Sequence, residues 1–300
     1  MFLMSTFQWP KTRMSSELGR KALRQTILEQ IYSAKSGHPG GSLSLVEIMS
    51  VIFDGGLEHD PRNPQKPDRD RIVLSKGHGV PALYSALSYA GYFDAGELVN
   101  LRRLGHFLQG HPDRDKYPLM EASTGSLGQG VSVALGLALA LRLDYQTKKI
   151  GRLPRVVCIV GDGEMQEGQV WECLMAAGKF RPGNLTFVVD HNKGQIDGTV
   201  SEIMDLHPLE EKIKAFRLDA RRIDGHDVAA LRSLLVDRPP VEEAAPLFVI
   251  ADTLKGKGVS FMEHPTKWHG AAPTRDDLKN ALAEIWKSEG GTSPLGRITE

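Results

Sequence analysis

Cysteine is nearly absent. The 300 residues hold two, Cys158 and Cys173, both inside apolar segments. Two such thiols build no disulfide framework and suit a reducing, cytoplasmic compartment. Net charge is lacking as well, because 37 Lys and Arg offset 37 Asp and Glu. That balance gives no field for gathering nucleic acid or an anionic membrane. No basic start followed by a long apolar run opens the sequence, so no signal peptide is expected. One long uncharged stretch lies between Glu121 and Arg142. It carries Ser123, Thr124, Ser126, Gln129, Ser132 and four glycines, which point to a buried helix and away from a lipid-facing span. Internal repeats and low-complexity tracts are missing, which excludes solenoids and tandem arrays.

What is present is alternation. Apolar runs at 71–74, 155–160, 185–189, 221–223 and 247–251 predict strands. Segments of helical length and pattern occur at 13–34, 43–53, 81–89, 128–143, 169–180, 228–236 and 274–288. Near-continuous Val, Ile and Leu predicts strands buried on both faces. The fold class is therefore α/β, a doubly wound, mostly parallel sheet with helices on both faces. Residues 1–289 are expected to form a single domain. Residues 290–300 are small, polar and glycine-rich and are expected to be a flexible tail. Residues 241–245 are read as a surface loop.

The strand at 155–160 ends in Gly161-Asp162-Gly163-Glu164, and the strand at 185–189 ends in Asp190-His191-Asn192-Lys193. A helix lies between them. Strand, helix, parallel strand puts both carboxyl ends on one edge of the sheet, where ligands of open α/β sheets collect. Asp162 and Asn192 can therefore point at one place. A hard cation takes oxygen ligands, and Asp162, Asn192 and the main-chain carbonyl of Gly194 supply three. Gly161 and Gly163 allow close backbone approach to a diphosphate, and the helix start adds amide donors. A lone Gly-Asp-Gly is no more than a turn; Asn192 at the next strand end is what gives it weight. Neither Gly-x-x-x-x-Gly-Lys-[Ser/Thr] nor Gly-x-Gly-x-x-Gly follows a strand, which disfavours nucleotide-loop chemistry.

The pair Gly161-Asp162-Gly163 and Asn192 resembles the thiamine diphosphate fingerprint. The longer strings Gly161 to Gly168 and Asn192 to Gly198 resemble transketolase in particular. Further segments match in the family's order: Ser36-Gly37-His38-Pro39-Gly40-Gly41, Leu74-Ser75-Lys76-Gly77-His78-Gly79, Gly110-His111-Pro112, Ser123 to Gly130, and Lys255-Gly256-Lys257-Gly258 with Trp268-His269-Gly270. Ser126 stands where the family usually has proline, which frees one φ angle.

The resemblance implies a thiamine diphosphate-binding fold and the transfer of a two-carbon ketol unit between sugars. Magnesium, or calcium or manganese in its place, would be held by Asp162, Asn192 and Gly194. His78, Gly125, Ser126, Leu127, Gly161, Asp162, Gly163, Glu164, Asn192, Lys255 and His269 would bind the cofactor. His38 and His269 would contact the donor hydroxyl whose proton must leave, and His111 the terminal hydroxyl. Histidine suits this work because its ordinary pKa lies nearest neutrality. Glu167 is read either as a charge favoured at a helix N-terminus or as a carboxylate at a subunit contact. His59, His106, His207 and His264 are read as structural or loop residues, and His191 and His226 are left open. A zinc site at His38, His78 and His111 is disfavoured, since close paired spacing and cysteines are missing.

In the family a second domain supplies the glutamate that activates the cofactor, and no segment here matches it. A separate C-terminal subunit, in an α2β2 assembly acting on sugar phosphates, is the expectation. The α component of a 2-oxoacid dehydrogenase is the nearest alternative, though the sugar-side histidines are not expected there. A non-catalytic binding protein is a further one.

Overall fold

A computed structural model describes residues 7–263 and 266–299. The reading of His264 lies outside these residues. The apolar runs form five strands: β1 (Arg71–Leu74), β2 (Val156–Gly161), β3 (Leu185–His191), β4 (Asp219–Asp224) and β5 (Leu247–Asp252). They make one sheet in the order β1-β2-β3-β5-β4, and every pairing is parallel.

Side chains alternate across a strand, so each central strand feeds two cores. Val157, Ile159, Val188 and Val249 face one core, under α1 (Glu17–Ala34), α2 (Pro39–Leu43), α3 (Val46–Val51) and α4 (Val80–Tyr89). Val156, Cys158, Val160, Phe187 and Ile250 face the other, under α5 (Gln129–Gln146) and α6 (Gly168–Phe180). Two short helices on the second side, α7 (Val200–Ile203) and α8 (Leu209–Ala215), were not expected, being too brief for periodicity to register. α9 (Val228–Leu235) and α10 (Arg275–Ile285) join the first side. Burying one such Val, Ile or Phe contributes roughly 1.5–3 kcal/mol, so the two-sided burial fixes the strands firmly. No helix of the described residues is long and apolar enough to cross a membrane.

Two expectations are corrected. The run at 221–223 is not buried on both faces: β4 pairs only with β5, and Arg221 and Arg222 at the sheet edge are exposed. The helix expected at 43–53 is broken into α2, α3 and a wider turn (Ile52–Gly56), which closes where Gly55 adopts φ 118°. Within residues 290–299, Gly296 and Ile298 contact α1. Ile298 is buried, its N–H donates to Glu29 Oε2 at 2.9 Å, and the Gly296 carbonyl accepts from Gln25 at 2.7 Å. Polar composition concealed this because the partners are polar groups buried on α1.

Candidate active site

The register of β2 and β3 decides the geometry. Gly161 lies opposite Asp190, so Asp162 and Asn192 emerge one and two residues later at the same sheet edge. The Asp162 carboxylate accepts the Gly163 N–H at 2.8 Å and the Lys193 N–H at 2.5 Å, which pins the two strand ends together. Lys193 takes a left-handed φ of 65°, turning the chain so that Gly194 comes back toward the edge. Asn192 donates its amide to Asp190 Oδ2 at 2.9 Å. That bond sets the flip of the side chain and leaves Oδ1 on the acceptor side. Asp162, Asn192 and Gly194 all line one cleft at this edge; Asn192 Oδ1 accepts the Gly194 N–H at 3.1 Å and the Gly194 carbonyl accepts from Lys255 Nζ at 2.9 Å.

A cleft of about 400 Å³ opens over this edge. Asp162, Gly161, Gly163, Glu164, Asn192, Gly194, Gly125, Leu127, Lys255 and Glu167 line it, as do His38, His78, His111 and His269. Four rings brought from positions 38 to 269 stand close together. His38 is 5.3 Å from His78, 6.3 Å from His111 and 5.6 Å from His269, centroid to centroid. Burial, then the cations Arg102, Lys76 and Lys255 around it, pushes His38 down to about 4. Burial and Lys255 push His269 down to about 3. Burial also lowers His78 and His111. All four rings are therefore neutral near pH 7, each able to donate one hydrogen bond and accept another. The Nδ1 atom of His38 is buried and has no partner among the described residues. Such an atom is an open request for a ligand hydroxyl or a water.

Two predicted residues sit differently from the rest. Ser126 is exposed and does not line the cleft. Glu164 lines it, but its carboxylate is engaged inward: it accepts from Ser75 at 2.5 Å, the Gly128 N–H at 2.8 Å and the Gly161 N–H at 3.0 Å. Glu164 therefore stitches β1, the start of α5 and β2 together. Glu167 is exposed at the rim, where it precedes α6 without a side-chain capping bond.

Sequence reasoning missed the floor of the cleft. Lys76 and Asp190 form a wholly buried ion pair at 2.5 Å. Asp190 also accepts from Ser44 at 2.6 Å and from Thr253. Burial pushes the Asp190 carboxyl up, but Lys76 and the two hydroxyls outweigh it and hold it below the ordinary carboxylate range. The signal was a charged residue at the end of each apolar run, and nothing in the sequence joins positions 114 apart. His191 and His226 each meet a carboxylate away from the four clustered rings. His191 meets Asp252 at 2.6 Å, while His226 meets Glu47 at 3.0 Å and accepts the Leu254 N–H at 2.8 Å.

Residues 16–289 match the family model described as transketolase, thiamine diphosphate binding domain. The chain belongs to this transketolase family. It is 42% identical over 266 residues to a 6-deoxy-6-sulfo-D-fructose transketolase subunit SqwG of Clostridium sp. (strain MSTE9), covering 88% of this chain and 94% of that protein. One subunit of an apulose-4-phosphate transketolase from Phocaeicola vulgatus is 34% identical, with 90% of this chain and 93% of that one covered. Human transketolase is 35% identical over 88% of this chain, which spans 41% of that protein. A crystal structure of a mutant transketolase from Pichia stipitis superposes with a TM-score of 0.85 at 26% identity, covering 95% of this chain and 42% of that one. The transketolase match sets the 2-oxoacid dehydrogenase alternative aside.

The donors at the sheet edge fit a diphosphate-bound cation. They are hard oxygens, and the Asp162 carboxyl is pushed up to about 6 by burial and by the neighbouring Asp190 charge, so it gains from a cation placed against it.

Proposed function

We propose that this chain is the cofactor-binding subunit of a transketolase-type enzyme that moves a two-carbon ketol unit from a ketose to an aldose. Thiamine diphosphate, when bound, supplies the stabilised carbanion chemistry that the protein lacks. Asp162, Asn192 and the Gly194 carbonyl hold magnesium, with calcium or manganese able to replace it. Gly161, Gly163 and the nearby amides accommodate the diphosphate, with Lys255 beside it. His38 and His269 hold and move the proton of the donor hydroxyl, His111 orients the terminal hydroxyl, and His78 stands toward the diphosphate end. The observation that carries this reading is the meeting of four neutral imidazoles with an Asp–Asn–carbonyl edge in one cleft.

A separately encoded chain completes the site, in an α2β2 assembly. The relatives of similar length are named as subunits, which supports this arrangement. Glu167, exposed and without a side-chain capping bond among the described residues, offers its carboxylate at the rim where a partner would close the cleft. Substrates are ketoses and aldoses carrying a phosphate or another acidic group, such as a sulfonate. The test is turnover. The purified chain is mixed with thiamine diphosphate, magnesium, and panels of phosphorylated and sulfonated sugars, with and without the protein encoded beside it. Turnover only with the partner is expected. Efficient turnover by the chain alone, or activity confined to a 2-oxoacid with lipoamide, contradicts the reading.

A further inference from the structure

We propose that Arg102 is a positioning residue, tying the loop that bears His38 to the loop that bears His111 so that both rings stand at the sugar end of the cleft. This rests on the roles assigned above to those two histidines. Arg102 follows the turn Ala95–Asn100 and takes a left-handed φ of 62°, an uncommon conformation for a residue other than glycine. Its own N–H donates to the Leu108 carbonyl at 2.8 Å, which closes the 102–108 loop on itself. The guanidinium then reaches both histidine loops. Nη1 donates to Ser36 Oγ at 3.1 Å, and Nη2 to the Gly110 carbonyl at 3.4 Å. Ser36 lies two residues before His38, and Gly110 immediately precedes His111.

Space at this junction is cut to the arginine. A Cβ placed on Gly110 would stand 2.8 Å from Arg102 Cζ. Among the described residues the guanidinium has no carboxylate partner, its hydrogen bonds going to Ser36 and Gly110, so its charge acts on the rings around it. Burial lowers both histidines first, and among the charged neighbours Arg102 is the leading one for each. After Arg102, the groups acting on His38 are His111, Lys76 and Lys255, with the His78 and His269 rings beside it; Asp162, Glu164, Glu167 and Asp197 are the carboxyl groups of the same cleft. The arginine therefore orients the two rings through the loops and disfavours their protonation through its charge.

The test is a pH titration of the histidine ring nitrogens by nitrogen-15 NMR on the intact chain, in the wild type, Arg102→Gln, Arg102→Lys and Gly110→Ala. Arg102→Gln removes the charge, so the His38 and His111 transitions should move up toward the ordinary value of about 6.5. Arg102→Lys should keep both transitions near the wild-type positions. Gly110→Ala should displace the guanidinium and raise His38 and His111, with no further rise when it is combined with Arg102→Gln. Unmoved His38 and His111 transitions in both Arg102→Gln and Gly110→Ala would overturn the proposal. If Arg102→Gln does not fold, Gly110→Ala alone decides between the same two results. The titration needs no turnover, so it is read independently of whether ketol transfer is found.

Discussion

At the scale of single residues, environment sets chemistry here more than residue type does. Four histidines share one cleft, and burial with surrounding cations makes all four poor proton binders. The consequence for stability has a definite sign. His38 falls from an ordinary 6.5 to about 4, and His269 to about 3, so the folded protein takes up protons later than the unfolded chain. Their contribution is fully present above about 6.5 and is lost as pH falls toward 4 and then 3. Thermal unfolding followed from pH 7 to pH 4 should therefore show a steep loss of Tm below 6.5. His38→Gln should flatten that slope, and an unchanged slope would contradict the assignment. The site's key pair was legible in the sequence at this scale. Asp162 and Asn192 stand at the ends of apolar runs, and a parallel sheet sends strand ends to one edge. Lys76 and Asp190 were not legible as partners, because an ion pair between distant positions leaves no periodic trace.

At the scale of elements, the cleft floor is held by buried charges rather than by apolar packing. Glu164 joins three elements through three accepted hydrogen bonds. Glu164→Ala leaves buried N–H groups of Gly128 and Gly161 without partners, at a cost of about 2–4 kcal/mol. Urea unfolding measures it, and a loss within error of zero would mean that the stitch is slack. Lys76→Met is the sharper case. It leaves Asp190 charged, buried and without its cation, so destabilisation of about 3–5 kcal/mol is expected from the same measurement. Elements with strong apolar patterning were legible from sequence, including β2, β3, β5, α5 and α6. The misread ones share a physical reason. β4 is an edge strand with exposed arginines, α7 and α8 are shorter than the helical period can reveal, and the break between α2 and α3 follows backbone turns inside an apolar run.

At the scale of the molecule, the sheet acts as a frame that delivers loops to one edge. The β1, β2, β3 and β5 ends carry His78, Asp162, Asn192 and Lys255, and the loops at 36–41 and 110–128 fold over them. The C-terminal residues docked on α1 belong to this frame through Glu29, whose carboxylate meets Arg297 and the Ile298 N–H. Glu167 is an exposed member of the cleft lining, and the proposed assembly would bring a second chain against it. The account depends most on the sheet edge itself as the seat of the metal and the diphosphate. Calorimetry of thiamine diphosphate binding to the complex of this chain with its partner, at fixed magnesium, tests that directly. Asp162→Ala and Asn192→Ala should each weaken binding by roughly 10–100-fold or more, with circular dichroism unchanged. Wild-type affinity in both variants would contradict the account.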